Sequence, residues 1–326
     1  MTANKINPQK SVSLSAFISS FIICFAFALF FRNSEIAIEY IKKGLLLCAG
    51  TIIPSLFPFM VLSDIAVSAG LGDLLSKYLR APMRRLFGIS GEGAGALLLG
   101  ILCGFPVGAK SAISLYEGGR ITRTECERLI PLCSVPSMAF CVNVVGVSIF
   151  QSSRAGWLFW LSSLISSATA GILCNALTSK STPDSIPSAS ISNPPPTSRP
   201  SYLVRAVEGS TRAVLIVCGY VIFFSALMGT LSAPLDYFSV PYYLKSLICG
   251  TLELTGGVTL CKDISSIPLR IALCALFVGW SGFSVHFQIF SICDGKGINF
   301  KKYLLIKLIQ ALICTIVSCL ALSVFF

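Results

Sequence analysis

One carboxylate, Glu253, lies in the middle of an apolar stretch of this 326-residue chain. Its nearest charged neighbours are Lys245, eight residues before it, and Lys262, nine residues after it. A charge near the centre of a bilayer costs about 2.5–3.5 kcal/mol even on the milder insertion scales, so such a residue commonly serves a function. We expect Glu253 to bind a proton or a cation, or to hydrogen-bond unwound backbone.

Two further polar groups end short apolar motifs. Lys110 closes GFPVGAK (104–110), and Gln288 closes GFSVHFQ (282–288). A carboxylate ligand needs a cation or several N–H donors in place of water, and Lys110 supplies a cation. The alternative is a lysine that extends its ammonium to the headgroups. His286, the only histidine, is expected either to handle a proton or substrate or to be a packed, hydrogen-bonded residue.

Small polar residues and glycines accompany these motifs near prolines. The alternative to ligand contact is that Ser and Thr bond back to their own helix, as they often do in membranes. The candidate substrate-binding residues are Gly104, Pro106, Lys110, Ser134, Ser137, Asn143, Gly282, Ser284, His286 and Gln288, with Ser281 beside them. Glu253 and Glu92 are the candidates for proton or ion coupling, although Glu92 fits an interfacial position equally well. Asp64 is expected at headgroup level.

The sequence motifs give no support for an enzymatic activity. The chain has no Walker A sequence, no H-E-x-x-H, no G-x-S-x-G and no dinucleotide fingerprint. We therefore expect no catalysis and no cofactor, and any transport to be secondary or facilitated. The 14 cysteines include no C-x-x-C pair and mostly lie in apolar runs, so they are read as small hydrophobic residues rather than metal ligands.

The composition indicates a polytopic membrane protein. Charged residues make up 12%, against about 25% in soluble domains. Hydrophobic residues make up 54%, and the mean hydropathy is +0.81. These values exclude a cytosolic enzyme, a secreted disulfide scaffold and a free nucleic-acid binder. The net charge of +11 is read as basic loops that face anionic headgroups.

The N-terminal unit, 1–34, is expected to be a transmembrane helix. Residues 12–31 carry no charge, and a run of that length crosses the hydrocarbon core. The run is longer than a signal-peptide core and no A-x-A site follows, so we expect it to stay uncleaved. Lys5 and Lys10 would hold the N-terminus in the cytoplasm.

Proline and glycine predict interruptions in the membrane segments that follow. Pro54 and Pro58 predict a break or a re-entrant hairpin, because proline removes an intrahelical donor. Further interruptions are expected at Gly104-Phe105-Pro106 and at Pro131 and Pro136. The basic, amphipathic stretch 71–90 is expected to lie at the interface, and 156–177 to be a clean span.

Residues 178–201 are mostly Ser, Thr and Pro and are expected to be a disordered linker. They divide the chain into a first membrane unit, 35–177, and a second one, 202–326. The second unit is expected to begin with a short amphipathic piece and a span at 202–233, with further apolar segments at 242–261, 267–293 and 303–326. Thr122 and Glu125 have the spacing of a helix-capping box.

The two membrane units resemble each other weakly. Residues 104–110 align with 282–288 at a constant offset that also pairs Gly119 with Gly297. Chance is one explanation; the other is a duplication of the kind found in transporters, where broken helices from two repeats meet near the bilayer midplane. We expect an all-α polytopic membrane protein of two repeated halves with broken or re-entrant helices, arranged as inverted repeats.

The order of PSLFPF (54–59), GFPVGAK, GGRIT with a following Glu (118–125) and GFSVHFQ resembles the sporulation integral membrane protein YlbJ family. Its halves are similar to the nucleoside-recognition Gate domain, and the resemblance covers roughly 40–320. It implies a multi-pass protein of the outer forespore membrane in an endospore-forming bacterium, which carries dipicolinic acid during spore maturation. The chain departs from the family at 133–137, where CSVPS replaces an expected Asn-rich run.

We therefore expect a secondary or facilitated transporter of a small organic anion, most specifically dipicolinate. Lys110 would meet the dianion, and Glu253 would then be protonated or face a cation. The alternatives are a non-transporting scaffold of a sporulation or envelope complex and a nucleoside-type transporter. Expected partners are the organic anion, the lipid bilayer, and either a second copy of the chain or other sporulation membrane proteins. No nucleic-acid partner is expected.

Overall fold

The structure is a computed structural model that describes residues 14–68, 71–177 and 202–322, and every regular element among them is helical. The predicted linker 178–201, like Lys5 and Lys10, lies outside the described residues. The α-helices are α1 (Leu14–Arg32), α2 (Ser34–Leu47), α3 (Ile53–Ser68), α4 (Leu71–Pro82), α5 (Ala94–Cys103), α6 (Val107–Glu117), α7 (Arg123–Cys133), α8 (Ser153–Leu177), α9 (Tyr202–Tyr237), α10 (Tyr242–Leu252), α11 (Leu254–Leu260), α12 (Ile267–Trp280), α13 (Gly282–Cys293) and α14 (Phe300–Leu322). Three π-helical segments lie at Cys48–Ile52, Met83–Phe87 and Phe140–Ile149, with short 3-10 turns at Gly91–Gly93 and Cys261–Asp263.

The helices have the lengths and the outward-facing apolar surface of a multi-pass membrane protein. Within the described ranges, four segments are long and apolar enough to cross a bilayer, and two bent pairs raise the number to as many as six. The four are Ser153–Leu177, Leu203–Tyr237, Ile267–Cys293 and Phe300–Ala321. Large apolar side chains such as Leu320 and Leu215 remain exposed, as expected of surfaces that face lipid. The predicted all-α polytopic class is confirmed.

Several of the predicted interruptions are present. The chain bends by 44° between Ser34–Ile52 and Leu56–Leu62, around Pro54, whereas α3 continues through Pro58. The chain also leaves the helix at Gly104-Phe105-Pro106, between α5 and α6, and again after Cys133. Gly104 has φ +78°, a conformation that glycine adopts without a Cβ clash.

The second half is interrupted at Glu253, between α10 and α11, and at Ser281, between α12 and α13. Gly282 has φ +79°, almost the value of its repeat partner Gly104. The two glycines therefore make the same kind of helix break 178 positions apart. Whether the two halves are inverted relative to each other stays a prediction.

Two details differ from the expectation. Residues 202–233 do not divide into an amphipathic piece and a span, because α9 runs unbroken over 36 residues and through Pro234. Helix α7 also continues through Pro131 and ends only at Cys133. A proline near a helix end is tolerated where neighbouring groups satisfy the carbonyls that it leaves free.

The helix start at Thr122 is as predicted. Thr122 Oγ1 accepts a hydrogen bond from the Glu125 amide at 3.2 Å, and Glu125 Oε2 accepts one from the Thr122 amide at 2.9 Å. The stretch 71–90 is mainly helical, and its Ser76–Phe87 part makes an angle of 102° with Gly91–Cys103. Its basic residues Lys77, Arg80, Arg84 and Arg85 are exposed.

The two halves are packed into each other through three buried clusters. One joins α5, α6 and α7 to α13, and contains Ala109 and Val285. A second joins the π-helix Phe140–Ile149 and α8 to α11, α12 and α14. The third joins α3, α5 and α6 to α9. The sequence boundary between the halves is therefore not a boundary in the packing of the described helices.

Candidate functional site

The breaks of both halves surround a partly open cavity of about 170 Å³. This volume has room for several waters or one small organic molecule. The polar groups of its wall come from both halves, and apolar residues of α3 and α9 complete it. The lining residues are Thr51, Ile52, Leu56, Cys103, Phe105, Ser137, Ala139, Phe140, Asn143, Val144, Val217, Val221, Glu253, Leu254, Thr255, Ser284, Val285 and Gln288.

The wall from α13 carries buried polar atoms without a partner. Ser284 and Gln288 lie four residues apart, which places them on one face of the helix, and both line the cavity. Ser284 Oγ and Gln288 Oε1 are buried and make no hydrogen bond within the described part of the chain. Ser281 Oγ, one turn earlier, is in the same state. Because a buried polar group without a partner is costly, these atoms are suited to a bound polar molecule.

Glu253 contributes the only acidic side chain among the described lining residues. Its residue is 4% exposed, and its carboxylate caps α11: Oε1 accepts from the Thr255 amide at 3.1 Å and Oε2 from the Gly256 amide at 2.6 Å. A carboxylate has about four acceptor positions, so it can also accept a hydrogen bond from a solute. The carboxylate therefore bonds to backbone amides at the break, which is one of the roles expected for Glu253 from the sequence.

The wall from the first half is formed where its two breaks meet. The Phe105 amide donates to the Val135 carbonyl at 3.0 Å, so each break supplies a backbone partner that the other lacks. Gly104 lies directly on this contact, since a Cβ there would be only 2.6 Å from the Ser137 nitrogen. Ser137 and Asn143 then face the cavity from this side.

Side chains of α8 and α14 satisfy the carbonyls that the end of α7 leaves free. Gln310 Nε2 donates to the Pro131 carbonyl at 3.0 Å, and Lys307 Nζ donates to the Ser134 carbonyl at 3.0 Å. Ser167 Oγ donates to the Leu132 carbonyl at 2.7 Å. Lys307 and Gln310 are each 1% exposed. The sequence analysis missed Lys307, although a lysine inside an apolar helix is itself a signal.

Several predicted site residues lie near the cavity without lining it. Gly282 packs against the Glu253–Leu254 backbone, where a Cβ would be 2.9 Å from the Leu254 nitrogen. Ser134 Oγ donates back to the Ile130 carbonyl at 2.5 Å, the local bond expected as its alternative role. Pro106 is buried at the first break, and its carbonyl accepts from the Lys110 amide at 3.0 Å.

Lys110 is directed away from the cavity and toward an acid. Its Nζ lies 2.8 Å from Asp64 Oδ2, and the two side chains are 31% and 33% exposed. Ser210 Oγ also donates to Asp64 Oδ2, at 3.4 Å. Glu92 is likewise paired, with Arg120 and with Ser76 Oγ.

His286 is enclosed by rings. Its Nδ1 is 3.0 Å from the Tyr303 hydroxyl, and its ring centroid is 4.4 Å from that of Trp280. Nε2 is buried and makes no hydrogen bond within the described residues. His286 is therefore a packed residue with one bonded nitrogen; it belongs to the cavity-lining helix α13 but is not among the residues that line the cavity.

The chemistry of the wall is hydrogen bonding rather than ion pairing. Hydroxyls, two amides and one carboxylate face the cavity, and no lysine, arginine or histidine is among its described lining residues. Such a wall suits a small polar solute with low net charge. The wall offers a free dianion no side-chain cation in place of the water molecules that the ion would lose on entering.

Comparison with known proteins agrees with the sequence resemblance. Residues 49–155 match the model of the Gate family, which is described as nucleoside recognition. The chain is 26% identical over 340 aligned positions to the sporulation integral membrane protein YlbJ of Bacillus subtilis, covering 95% of this chain and 81% of that protein. The predicted resemblance is thereby confirmed. No solved structure matches the chain significantly.

Proposed function

We propose that this membrane protein is a secondary or facilitated transporter of a small organic solute, with dipicolinic acid as the first candidate. The observation that carries the proposal is the cavity between the two sets of breaks, where Ser284 Oγ and Gln288 Oε1 are buried and have no hydrogen-bond partner among the described residues. Non-helical backbone at membrane depth is tolerated where it lines such a cavity, and a scaffold has no need of it. The resemblance to YlbJ supports the sporulation context and the forespore membrane as the location.

The charge of the wall constrains how an organic acid would be carried. Glu253, the acidic residue of the wall, has no basic residue beside it among the described lining residues. Lys110, the basic residue of the first motif, is paired with Asp64 instead. We therefore infer that a dicarboxylate enters with its charge compensated, as a protonated acid or together with cations. Amide and hydroxyl groups would then bind its oxygen and nitrogen atoms directly.

A nucleoside is the second candidate, because one specific observation favours it. Carboxylate and amide side chains suit the donor and acceptor edges of a nucleoside base. Glu253, Asn143 and Gln288 provide such side chains at one cavity. The Gate match over 49–155 points in the same direction.

Uptake by the purified protein in liposomes tests the proposal. Labelled dipicolinate and labelled uridine are offered separately, and each is then used to compete with the other. Ser284→Ala removes a hydroxyl from the wall and is expected to reduce uptake about two- to tenfold, the effect of one hydrogen bond. Ser291→Ala makes the same change at an exposed position of α13 and should leave uptake unchanged.

The competing substrates give distinguishable results. Saturable uptake of dipicolinate that uridine does not inhibit supports the first candidate, and the reverse supports the second. Absence of uptake for both solutes by a folded protein would contradict the transporter proposal and favour the scaffold.

A further inference from the structure

Along three helices, the cavity is followed by a buried apolar layer and then by an ion pair. The cavity wall includes Leu56 of α3, Val217 of α9 and Phe105 just before α6. Four residues after Leu56 comes Met60, three before Val217 comes Val214, and two after Phe105 comes Val107. Met60, Val107 and Val214 are all buried and belong to one packed cluster, which we call the plug.

Beyond the plug, the same three helices meet again in polar contacts. Asp64 follows Met60 by four residues, Lys110 follows Val107 by three, and Ser210 precedes Val214 by four. Asp64 accepts from Lys110 Nζ at 2.8 Å and from Ser210 Oγ at 3.4 Å. We call these three residues the latch.

The spacing places the latch at one end of the cavity. With a rise of 1.5 Å per residue, Asp64 is about 12 Å beyond Leu56 along α3, and Ser210 is about 10 Å beyond Val217 along α9. Exposure rises along two of the three helices: Met60 is 1% exposed, whereas the Asp64 and Lys110 side chains are about one-third exposed, and Ser210 on α9 stays buried. The latch therefore lies between the plug and the surroundings of the protein.

The geometry points to a closure, and we propose that plug and latch together seal this end of the cavity and separate when a solute passes. The packed plug leaves no room for a polar solute at this end of the cavity, so the helices must move apart there for exchange. The π-helical segment Cys48–Ile52 and the bend before Leu56 provide a place where α3 can turn. An ion pair whose side chains are about one-third exposed is weak enough to be broken repeatedly, since partly exposed pairs contribute little net stability.

This inference rests on the proposed function, but it assigns Lys110 a different role from solute binding. If Lys110 bound an organic anion, its loss could not be compensated by changing Asp64. In a closure, Asp64→Asn and Lys110→Gln have the same effect, and reversing both charges restores the pair.

Cys103 provides a native reporter, because it lines the cavity. The full-length protein in lipid nanodiscs is treated with a membrane-impermeant maleimide, and mass spectrometry follows modification of the Cys103 peptide. Asp64→Asn and Lys110→Gln are each expected to speed the modification about two- to fivefold. The charge-reversed pair, Asp64→Lys with Lys110→Asp, should return to the slow rate. Met60→Ala thins the plug and should also speed the reaction, whereas Leu62→Ala, at an exposed position of α3, should not.

Cys126 serves as the internal check on folding, because it is fully buried in a different cluster. If Cys126 reacts in a charge variant, that variant is unfolding, and the test rests on Met60→Ala, which breaks no ion pair. Unchanged Cys103 rates in the folded single variants and in Met60→Ala would overturn the closure. No solute takes part in this assay, so failure of the closure is distinct from failure of transport: liposome uptake that persists with unchanged Cys103 rates would remove the closure alone.

Discussion

Gln310 Nε2 donates to the carbonyl oxygen of Pro131 across 3.0 Å, linking α14 of the second half to the end of α7 in the first. The same end of α7 receives Lys307 from α14 at the Ser134 carbonyl. In lipid no water is present to satisfy the last carbonyls of an interrupted helix, so protein groups must do so. The break that faces the cavity is therefore stabilised by the other half of the chain.

Gln310→Leu should destabilise the protein by about 1–3 kcal/mol, because it leaves the buried Pro131 carbonyl without this donor at nearly constant side-chain volume. The measurement is the free energy of unfolding in mixed detergent micelles. Thr259→Val is the control: it removes an exposed hydroxyl of α11 that bonds back to the Thr255 carbonyl, and it should change that energy by less than about 0.5 kcal/mol. Equal effects of the two substitutions would mean that the hydrogen bond from Gln310 to the Pro131 carbonyl makes no measurable contribution to the free energy of unfolding.

Gly104→Ala should prevent normal packing of the two first-half breaks. Gly104 has φ +78°, and a Cβ there would be 2.6 Å from the Ser137 backbone nitrogen, which cannot move away cheaply. We expect a strongly reduced yield of folded protein by size-exclusion chromatography. Gly282→Ala should behave similarly, since its Cβ would be 2.9 Å from the Leu254 nitrogen.

The control for both glycines is Gly219→Ala in α9, where a Cβ meets nothing within 4 Å. Alanine is the better helix former, so this variant should fold at least as well as the original protein, with a gain of up to about 1 kcal/mol. A normal yield for Gly104→Ala would show that the tight approach at Ser137 is not required.

The interruptions of the helices could be predicted because their causes are local. Pro54 removes a helical donor at the bend before Leu56, and Gly104 and Gly282 adopt positive φ, so the residue types mark these places. The repeated motif also contains Ser284 and Gln288, which line the cavity. Such features are encoded within a few neighbouring residues.

The partners of the charged residues could not be predicted in this way. Lys110 was expected at the solute, but its partner Asp64 lies 46 positions earlier, and only the packing of α3 against α6 and α9 brings the charges together. Lys307 and Ser134 are 173 positions apart. Contacts of this kind depend on helix positions that no local pattern determines.

Thr122→Ala should cost about 1 kcal/mol of stability, the usual effect of losing an N-cap side chain. Thr122 Oγ1 accepts from the Glu125 amide at the start of α7, and Glu125 also accepts from the Ser90 amide at 2.7 Å, so the cap holds two segments in place. Thermal unfolding in detergent measures the change. Thr169→Ala, whose hydroxyl is exposed and bonds only its own helix, should have a much smaller effect.

Glu253→Gln should change how uptake depends on pH without abolishing it. Glu253 is the only acidic residue among the described lining residues, so a solute that carries negative charge is repelled when both are ionised. A dicarboxylate loses protons as the pH rises, and its initial uptake rate should therefore fall between about pH 5 and pH 8. The amide carries no charge, so the fall should be less steep in the variant.

The amide of the variant also caps α11 less well, because a single oxygen must replace the two that accept from the Thr255 and Gly256 amides. The maximal rate is thus expected to drop, and the shape of the pH profile is the decisive readout. Glu208→Gln removes an exposed carboxylate from α9 and should keep the original profile. If Glu253→Gln and the original protein had superimposable profiles, Glu253 would be a helix cap alone, and the coupling of solute charge to this carboxylate would have to be abandoned.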